Sequence, residues 1–315
     1  MGDIFISIAC YRDSQVIPTV ENAYKNAKHK DRLFFGVYAQ LAADKDVELK
    51  FDCPLNQVRL LVHPHTNARG PVYARYIIYN RLYQNEEFYL QIDSHTRFVQ
   101  DWDEQLVCML RSLRENCVLS TYPVGYSLKT EELMKTDKVN VIKLKKIRNG
   151  VPVFYSVPAK LERPEKNLFW AAGFSFCYGA VFKRVPFDPH LKNIFWGEEF
   201  LMALRFYTSG IEVYTPDRNI VYTLWDRNYR PTFWELRNID PNKFDAHGLI
   251  SFLRLCKIAG FYQSRIAEER VFKDIQIYGS GKARRVDEFL EVSGIKGMTK
   301  DVVYSNYVRE FVDKI

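Results

Sequence analysis

Residues 88–95 read Phe88-Tyr89-Leu90-Gln91-Ile92-Asp93-Ser94-His95, an apolar run that ends in an acid, a small residue and a histidine. A short apolar stretch rich in aromatic and branched side chains predicts a strand buried on both faces. The polar triplet then falls on a loop at that strand's carboxyl end. Similar runs occur before and after it: IFISIAC at 4–10, RLFFGVYA at 32–39, VRLLV at 58–62 and a further one at 118–122. Between them lie helical patterns, PTVENAYKNA opened by Pro18, PVYARYIIYNRLY opened by Pro71, and residues 101–113.

Strands that alternate with helices imply βαβ units, and so an α/β fold on a single, mostly parallel, Rossmann-like sheet. Ligands of such sheets bind beyond the carboxyl ends of the strands. Two loops there carry chemistry: Tyr11-Arg12-Asp13 after the first strand and Asp93-Ser94-His95 after the fourth. Residues 128–164 are polar and basic with weak periodicity, which suits a hairpin insertion or a flap. Residues 169–182 are apolar with small residues, and 196–209 predict a helix. From about residue 244 the pattern turns helical and more charged. The expected organisation is a catalytic domain over 1–243 and a helical extension over 244–315, with no internal repeat.

Composition narrows the function classes. At 47% hydrophobic and 26% charged residues the chain reads as an ordinary globular protein. Its net charge of +7 is modest. The clustered part, Lys143, Lys145, Lys146 and Arg148, then Lys282, Arg284 and Arg285, accompanies no nucleic-acid motif. Such a surplus fits an enzyme that handles phosphates. The 20 Tyr and 22 Phe suit stacking on sugars or bases, and serve equally as core material. None of the six cysteines forms a C-x-x-C pair, which argues against a zinc cluster and for buried free thiols. There is no signal-peptide pattern, no run long enough to span a bilayer, no N-x-S/T sequon, and Ile6 stands where a myristoylation signal needs a hydroxyl. A cytoplasmic setting is the expectation.

Four motifs carry chemistry. Asp93 and His95 stand two apart on one loop and offer a carboxylate oxygen and an imidazole nitrogen, half a site for a divalent ion whose other ligands are diphosphate and water; the alternative is a turn cap beside a surface histidine. In NARGPVYAR at 67–75, Arg69 precedes a helix and Arg75 lies in its second turn. Both suit a phosphate or a base edge at a helix N-terminus, or simply a solvated face. In NIFWGEEF at 193–200, Glu198 and Glu199 open a helix after Gly197. They complement the helix dipole, and one of them can face a pocket and bind sugar or acceptor hydroxyls while Trp196 stacks on a ring. In WAAGFS at 170–175, the small residues around Gly173 permit close backbone approach to a ligand or tight core packing.

The order of these motifs, YRD at 11–13, GPVYAR at 70–75, QIDSH at 91–95, WAAGF at 170–174 and WGEE at 196–199, followed by a basic-aromatic stretch, resembles nucleotide-sugar glycosyltransferases of the GT-A fold. More narrowly it resembles the cytoplasmic-type polypeptide α-N-acetylglucosaminyltransferases that modify hydroxyproline or serine/threonine. The likeness spans roughly residues 4–295 and is most specific in YLQIDSHTRFVQDWD and FWGEEFLMALRFYTSG. The D-S-H and W-G-x-E elements are also similar to those of polypeptide N-acetylgalactosaminyltransferases.

The resemblance implies a UDP-sugar donor, UDP-N-acetylglucosamine first, with Mn²⁺ or Mg²⁺. It implies transfer with retention of configuration onto a hydroxyl of a polypeptide or glycan, by front-face attack in which the leaving phosphate takes the acceptor's proton. It places Asp93 and His95 on the metal and diphosphate, with Ser94 between them. Glu198 and Glu199 fall on the acidic pair facing acceptor and donor sugar, and Arg75 falls in the donor site beside Tyr11, Arg12, Arg69, Gly173 and Trp196. It also implies a third metal ligand, a histidine on a strand after the WGEE helix. There the chain reads NIVYTLWD at 219–226 with Thr223 at the place, and the next histidine is His247. Two other functions fit the same residues: a degenerate transferase that binds without turnover, and a nucleotidyltransferase.

Overall fold

The computed structural model describes residues 2–46, 48–113, 116–148, 151–261 and 269–295. The chain opens with strand β1 (Ile4–Tyr11), helix α1 (Val16–Asn26), then strands β2 (Leu33–Leu41) and β3 (Val58–Pro64), helix α2 (Pro71–Arg81) and strand β4 (Phe88–Asp93). Next come β5 (Thr96–Phe98), α3 (Trp102–Arg111), β6 (Cys117–Ser120) and β7 (Val124–Gly125). A hairpin of β8 (Val139–Arg148) and β9 (Val151–Ala159) follows, then β10 (Glu165–Asn167), β11 (Phe174–Tyr178) and α4 (Ala180–Arg184). The remainder is α5 (Glu198–Thr208), β12 (Glu212–Thr215), β13 (Val221–Thr223), α6 (Leu236–Ile239), α7 (Pro241–Ile258), α8 (Glu269–Phe272), α9 (Ile275–Tyr278) and α10 (Val286–Val292).

Among the described residues the main sheet has eight strands in the order β10-β12-β6-β11-β4-β1-β2-β3. It is mostly parallel, as the alternation of elements requires: β1 pairs in parallel with both β2 and β4, and β6 with β12. The antiparallel β11 between β4 and β6 was not legible as a strand direction in the sequence. Side-chain alternation along β1 sorts the two faces. Ile4, Ile6 and Ile8 join α1 and α3 in one core, while Phe5 joins α2, α5 and the C-terminal helices in the other. Trp102 is fully buried in the first, rings tilted at 4.6 Å from Phe98, with its indole N–H donated to the Ala23 carbonyl at 2.8 Å. Four of the six cysteines, Cys10, Cys117, Cys177 and Cys256, are buried in these layers.

The first helix starts at Val16, two residues before the expected Pro18, and residues 128–164 contain the hairpin. That hairpin is anchored where Asn140 Nδ2 donates to the Tyr122 carbonyl at 2.9 Å and Phe154 packs on Phe169 at 4.6 Å. The boundary expected at 243/244 falls inside α7, and Phe252, Leu255, Cys256 and Phe289 sit in the same core as α5. The parts of the expected extension at 262–268 and 296–315 lie outside the described residues. Among the described residues no helix is long and apolar enough to cross a membrane.

Replacing the fully buried Trp102 removes a large ring and strands a carbonyl. Trp102→Ala is expected to cost about 3–5 kcal/mol of stability, read from the shift in urea midpoint; a loss under about 1 kcal/mol would show that this face of the sheet does not depend on it.

Candidate active site

The site forms where β1 and β4 end side by side, Ala9 paired with Asp93. Asp13, just past β1, turns inward and is almost fully buried. Its carboxylate accepts from Ser94 Oγ at 2.6 Å, Tyr229 Oη at 2.8 Å and the Gln15 N–H at 2.9 Å, pairs with Arg230 Nε at 3.0 Å, and lies 2.7 Å from His95 Nδ1. Burial alone pushes this carboxyl up. The His95 hydrogen bond and charge, Arg230 and Ser94 outweigh it and hold Asp13 well below the usual carboxylate range, so it is ionised. An ionised Asp13 accepts, so His95 Nδ1 donates to it and Nε2 is turned away from Asp13, towards Asp93.

The loop is fixed from the other side by α1. Thr19 Oγ1 donates to the Ser94 carbonyl and accepts the Thr96 N–H, both at 2.9 Å. His95 is buried, and its Nε2 has no hydrogen-bond partner and stands 3.7 Å from Asp93 Oδ2. A buried imidazole nitrogen left open beside a carboxylate fits a divalent cation, with Asp13 orienting the ring from behind. Asp93 itself is pushed up by burial but held below the ordinary range by His95, Arg227, Arg75 and Arg230.

Arg75 is buried and spans three elements. It is ion-paired with Glu198, lies 3.8 Å from Asp93 Oδ1 and donates to the Ala172 carbonyl at 3.4 Å. The loop at 170–173 is pinned by Ser120, whose hydroxyl accepts from the Ala171 N–H at 2.9 Å and donates to the Phe174 carbonyl at 2.7 Å. Gly173 therefore lies against Asp93, and a Cβ there would stand 3.1 Å from Asp93 Oδ2. Gly197 begins α5 at φ +99°, and a Cβ there would stand 2.4 Å from Leu255, so only glycine lets Glu198 and Glu199 enter the site at this angle.

The two glutamates differ in surroundings. Glu198 is raised by burial, with the charge and hydrogen bond of Arg75 opposing. Glu199 accepts from the Tyr122 hydroxyl and from the Ala172 N–H at 3.0 Å, yet burial still pushes it up to about 7. Trp225, half exposed, stands edge-on to Tyr122 at 6.2 Å.

The other residues expected in the site have partners of their own. The Ser94 hydroxyl is used by Asp13. Tyr11 donates to Glu235 at 2.8 Å, and Arg12 pairs with Glu235 at 2.8 Å and Asp46 at 3.1 Å. Arg69 is exposed and lies over the Tyr73 ring at 5.0 Å. Trp196 is 57% exposed and packs edge-on to Phe195.

His247, the expected third ligand, lies on α7. Among the described residues no group of three His, Cys, Asp or Glu side chains is placed to hold a metal. Burial, then the charges of Lys192, Arg69, Lys243 and Arg270, hold the His247 imidazole below its ordinary range, and such surroundings repel a cation. Thr223, by contrast, does flank the loop. It pairs with Thr96, its neighbour Leu224 donates to the His95 carbonyl at 3.0 Å, and its buried Oγ1 has no partner. Asp13, Tyr122, Trp225, Arg227, Tyr229 and Arg230 are the residues that motif reading gave no role. Arg227 Nη2 lies 3.6 Å from Asp93. For Trp225, Arg227, Tyr229 and Arg230 the one sequence signal was the basic-aromatic run after the last strand, whereas Asp13 stood in the YRD motif.

The model of the Glycosyltransferase (GlcNAc) family matches residues 3–52 and 48–299, so the chain belongs to that family. Among curated proteins no significant match is found. Among solved structures the chain is similar to GalNAc-T7 with UDP, GalNAc and Mn²⁺, with a TM-score of 0.64 at 14% identity over 96% of this chain. It spans 57% of that protein's chain, a little over half. It is also similar to S. aureus TarS 1-349 in complex with UDP-GlcNAc, with a TM-score of 0.50 at 13% identity, covering 88% of this chain and 70% of that one. At such identities the likeness is one of fold, the GT-A glycosyltransferase fold.

Asp13→Ala would leave Arg230, His95 and Tyr229 without their shared acceptor in a buried place. The expected loss is about 3–5 kcal/mol, measured by urea unfolding at neutral pH; a loss below about 1 kcal/mol would mean that this carboxylate is not the organising group.

Proposed function

We propose that the chain transfers N-acetylglucosamine from UDP-N-acetylglucosamine to a hydroxyl of an acceptor polypeptide or glycan, with retention of configuration and dependence on Mn²⁺ or Mg²⁺. The observation that carries this reading is the open Nε2 of His95 beside Asp93, oriented by ionised Asp13. Support comes from family membership and from the fold shared with proteins whose structures hold UDP, UDP-GlcNAc, GalNAc or Mn²⁺.

Asp93 and His95 would hold the ion, which when bound supplies Lewis-acid stabilisation of the departing diphosphate. The chain's own groups do the rest. Arg227, Arg75 and Arg230 surround the two aspartates and add positive charge where phosphate charge develops. Arg75 holds Glu198 as a charged pair, which makes Glu198 a positioning residue. Glu199, at about 7 and gripped by Tyr122 and the Ala172 N–H, is divided between acid and base at neutral pH. Its ionised form accepts a hydrogen bond from a sugar or acceptor hydroxyl, while the exposed face of Trp225 nearby offers a surface for a pyranose ring.

Release of UDP from a set of UDP-sugars, with and without Mn²⁺, tests the donor and metal assignment; no metal-dependent release from any of them would favour a binding module without turnover. Asp93→Ala is expected to abolish transfer and to remove the Mn²⁺-dependent part of UDP affinity in calorimetry, and unchanged values would sink the metal assignment. Glu199→Gln is expected to lower kcat by about ten-fold or more while leaving UDP affinity within about three-fold. In the wild type, kcat should fall as pH drops through about 7, because protonation removes the acceptor form of Glu199, and the variant should lose that inflection. An inflection that survives in the variant assigns the titration to another group.

A further inference from the structure

Asn193, buried and in a left-handed conformation at φ +55°, ties three cation-bearing segments together. Its backbone N–H donates to the Arg69 carbonyl at 2.8 Å, and its side-chain amide donates to the Phe244 carbonyl on α7 at 3.3 Å. The preceding residue, Lys192, accepts at its carbonyl from Ser251 Oγ on the same helix at 2.6 Å. Arg69, Lys192 and Lys243 are thus carried on chain that meets at one residue, and His247 follows Lys243 by about one helical turn.

Among the described residues none of these three cations has a carboxylate partner, and four acids on the adjoining segments are engaged elsewhere. Asp240 caps α7, Asp245 holds Arg237 at 3.0 Å, Asp188 holds Arg254 at 2.6 Å and Asp274 holds His190 at 2.9 Å. The cations press on one another. Burial, then Arg69, Arg270, Lys273 and Lys243, hold the Lys192 ammonium below its ordinary range.

Beside them stands a shelf of exposed rings. Phe195 is 48% exposed and Trp234 41%, and Phe195 contacts Trp196 at 5.3 Å and Trp234 at 5.9 Å, with Phe244 beneath. From Lys192 to Glu198 the chain therefore runs from unpaired cation, across exposed rings, to the acidic pair of the active site.

We infer that this surface seats the acceptor, and that the acceptor is a polypeptide segment carrying Asp or Glu residues beside the hydroxyl to be modified. The inference rests on the proposed transferase activity and adds its substrate class. A single phosphate is best held by a converging guanidinium fork. Here the one arginine lies over Tyr73 and the lysines stand on separate segments, a layout that meets several separated carboxylates. Exposed Trp and Phe take up peptide planes and side-chain stems, as aromatic anchors do at protein interfaces.

The test is fluorescence anisotropy with a fluorescein-labelled peptide of alternating serine and glutamate, against one of alternating serine and lysine of equal length, with inorganic polyphosphate as competitor. The acidic peptide is expected to bind about ten-fold or more tighter than the basic one and to weaken as salt rises. The double reversal Lys192→Glu/Lys243→Glu should loosen it by about ten-fold or more, while acceptor-free hydrolysis of UDP-GlcNAc stays within about two-fold of the wild type, which also reports an intact fold. Equal binding of the two peptides, binding unchanged by the double reversal, or polyphosphate bound through these lysines while the acidic peptide is not, would each overturn the inference. A wild-type chain that binds the acidic peptide through these lysines but never hydrolyses UDP-GlcNAc contradicts the proposed activity and leaves the acidic-peptide surface standing.

Discussion

A buried carboxylate with five partners organises this protein. Asp13 receives groups from the start of α1, from the loop after β4 and from Tyr229, 216 positions away in the chain, with its neighbour Arg230. A charge so far from water survives only when its lone pairs are filled. Filling them fixes the imidazole of His95, the hydroxyl of Ser94 and the turn that carries Arg227 and Arg230. Asp93, at the strand end, needs no such support and stays partly exposed. One aspartate thus holds the frame, and the other stays partly open to solvent.

The neighbouring glutamates repeat that division. Glu198 and Glu199 are adjacent in sequence and enter on the same helix turn after Gly197. Arg75 neutralises the first and locks it to the strand end, whereas the second meets only neutral donors, Tyr122 and a backbone N–H. With no cation in contact, burial dominates and leaves Glu199 titrating at about 7. Two identical side chains acquire different electrostatic surroundings from what the sheet and the 170–173 loop place against them.

The sequence made the layered α/β fold, the strand ends and the pairing of Asp93 with His95 legible, because periodicity and loop position are local properties. Gly173 was also readable, since a small residue between rings signals close approach, and it lies against Asp93. What sequence could not reveal depends on distant chain. Asp13 stood in a motif but had no visible partner until Tyr229 and Arg230 were folded onto it. The direction of β11 follows from sheet pairing, and periodicity is blind to direction. Arg69 and Arg75 looked equivalent six residues apart, but Arg69, before the helix, lies over Tyr73, and Arg75, on it, turns inward to Glu198. His247 was the next histidine along the chain, and the structure surrounds it with cations.

We propose that the donor diphosphate is held around the pair formed by Asp93 and the Asp13-oriented His95. Anomalous diffraction from crystals grown with Mn²⁺ and UDP tests it most directly. One Mn²⁺ peak is expected within coordination distance of Asp93 Oδ2 and His95 Nε2, with the diphosphate on its far side and Arg227 turned towards the phosphates. UDP bound in the site with no peak at this pair, or a peak held by other side chains, would contradict it.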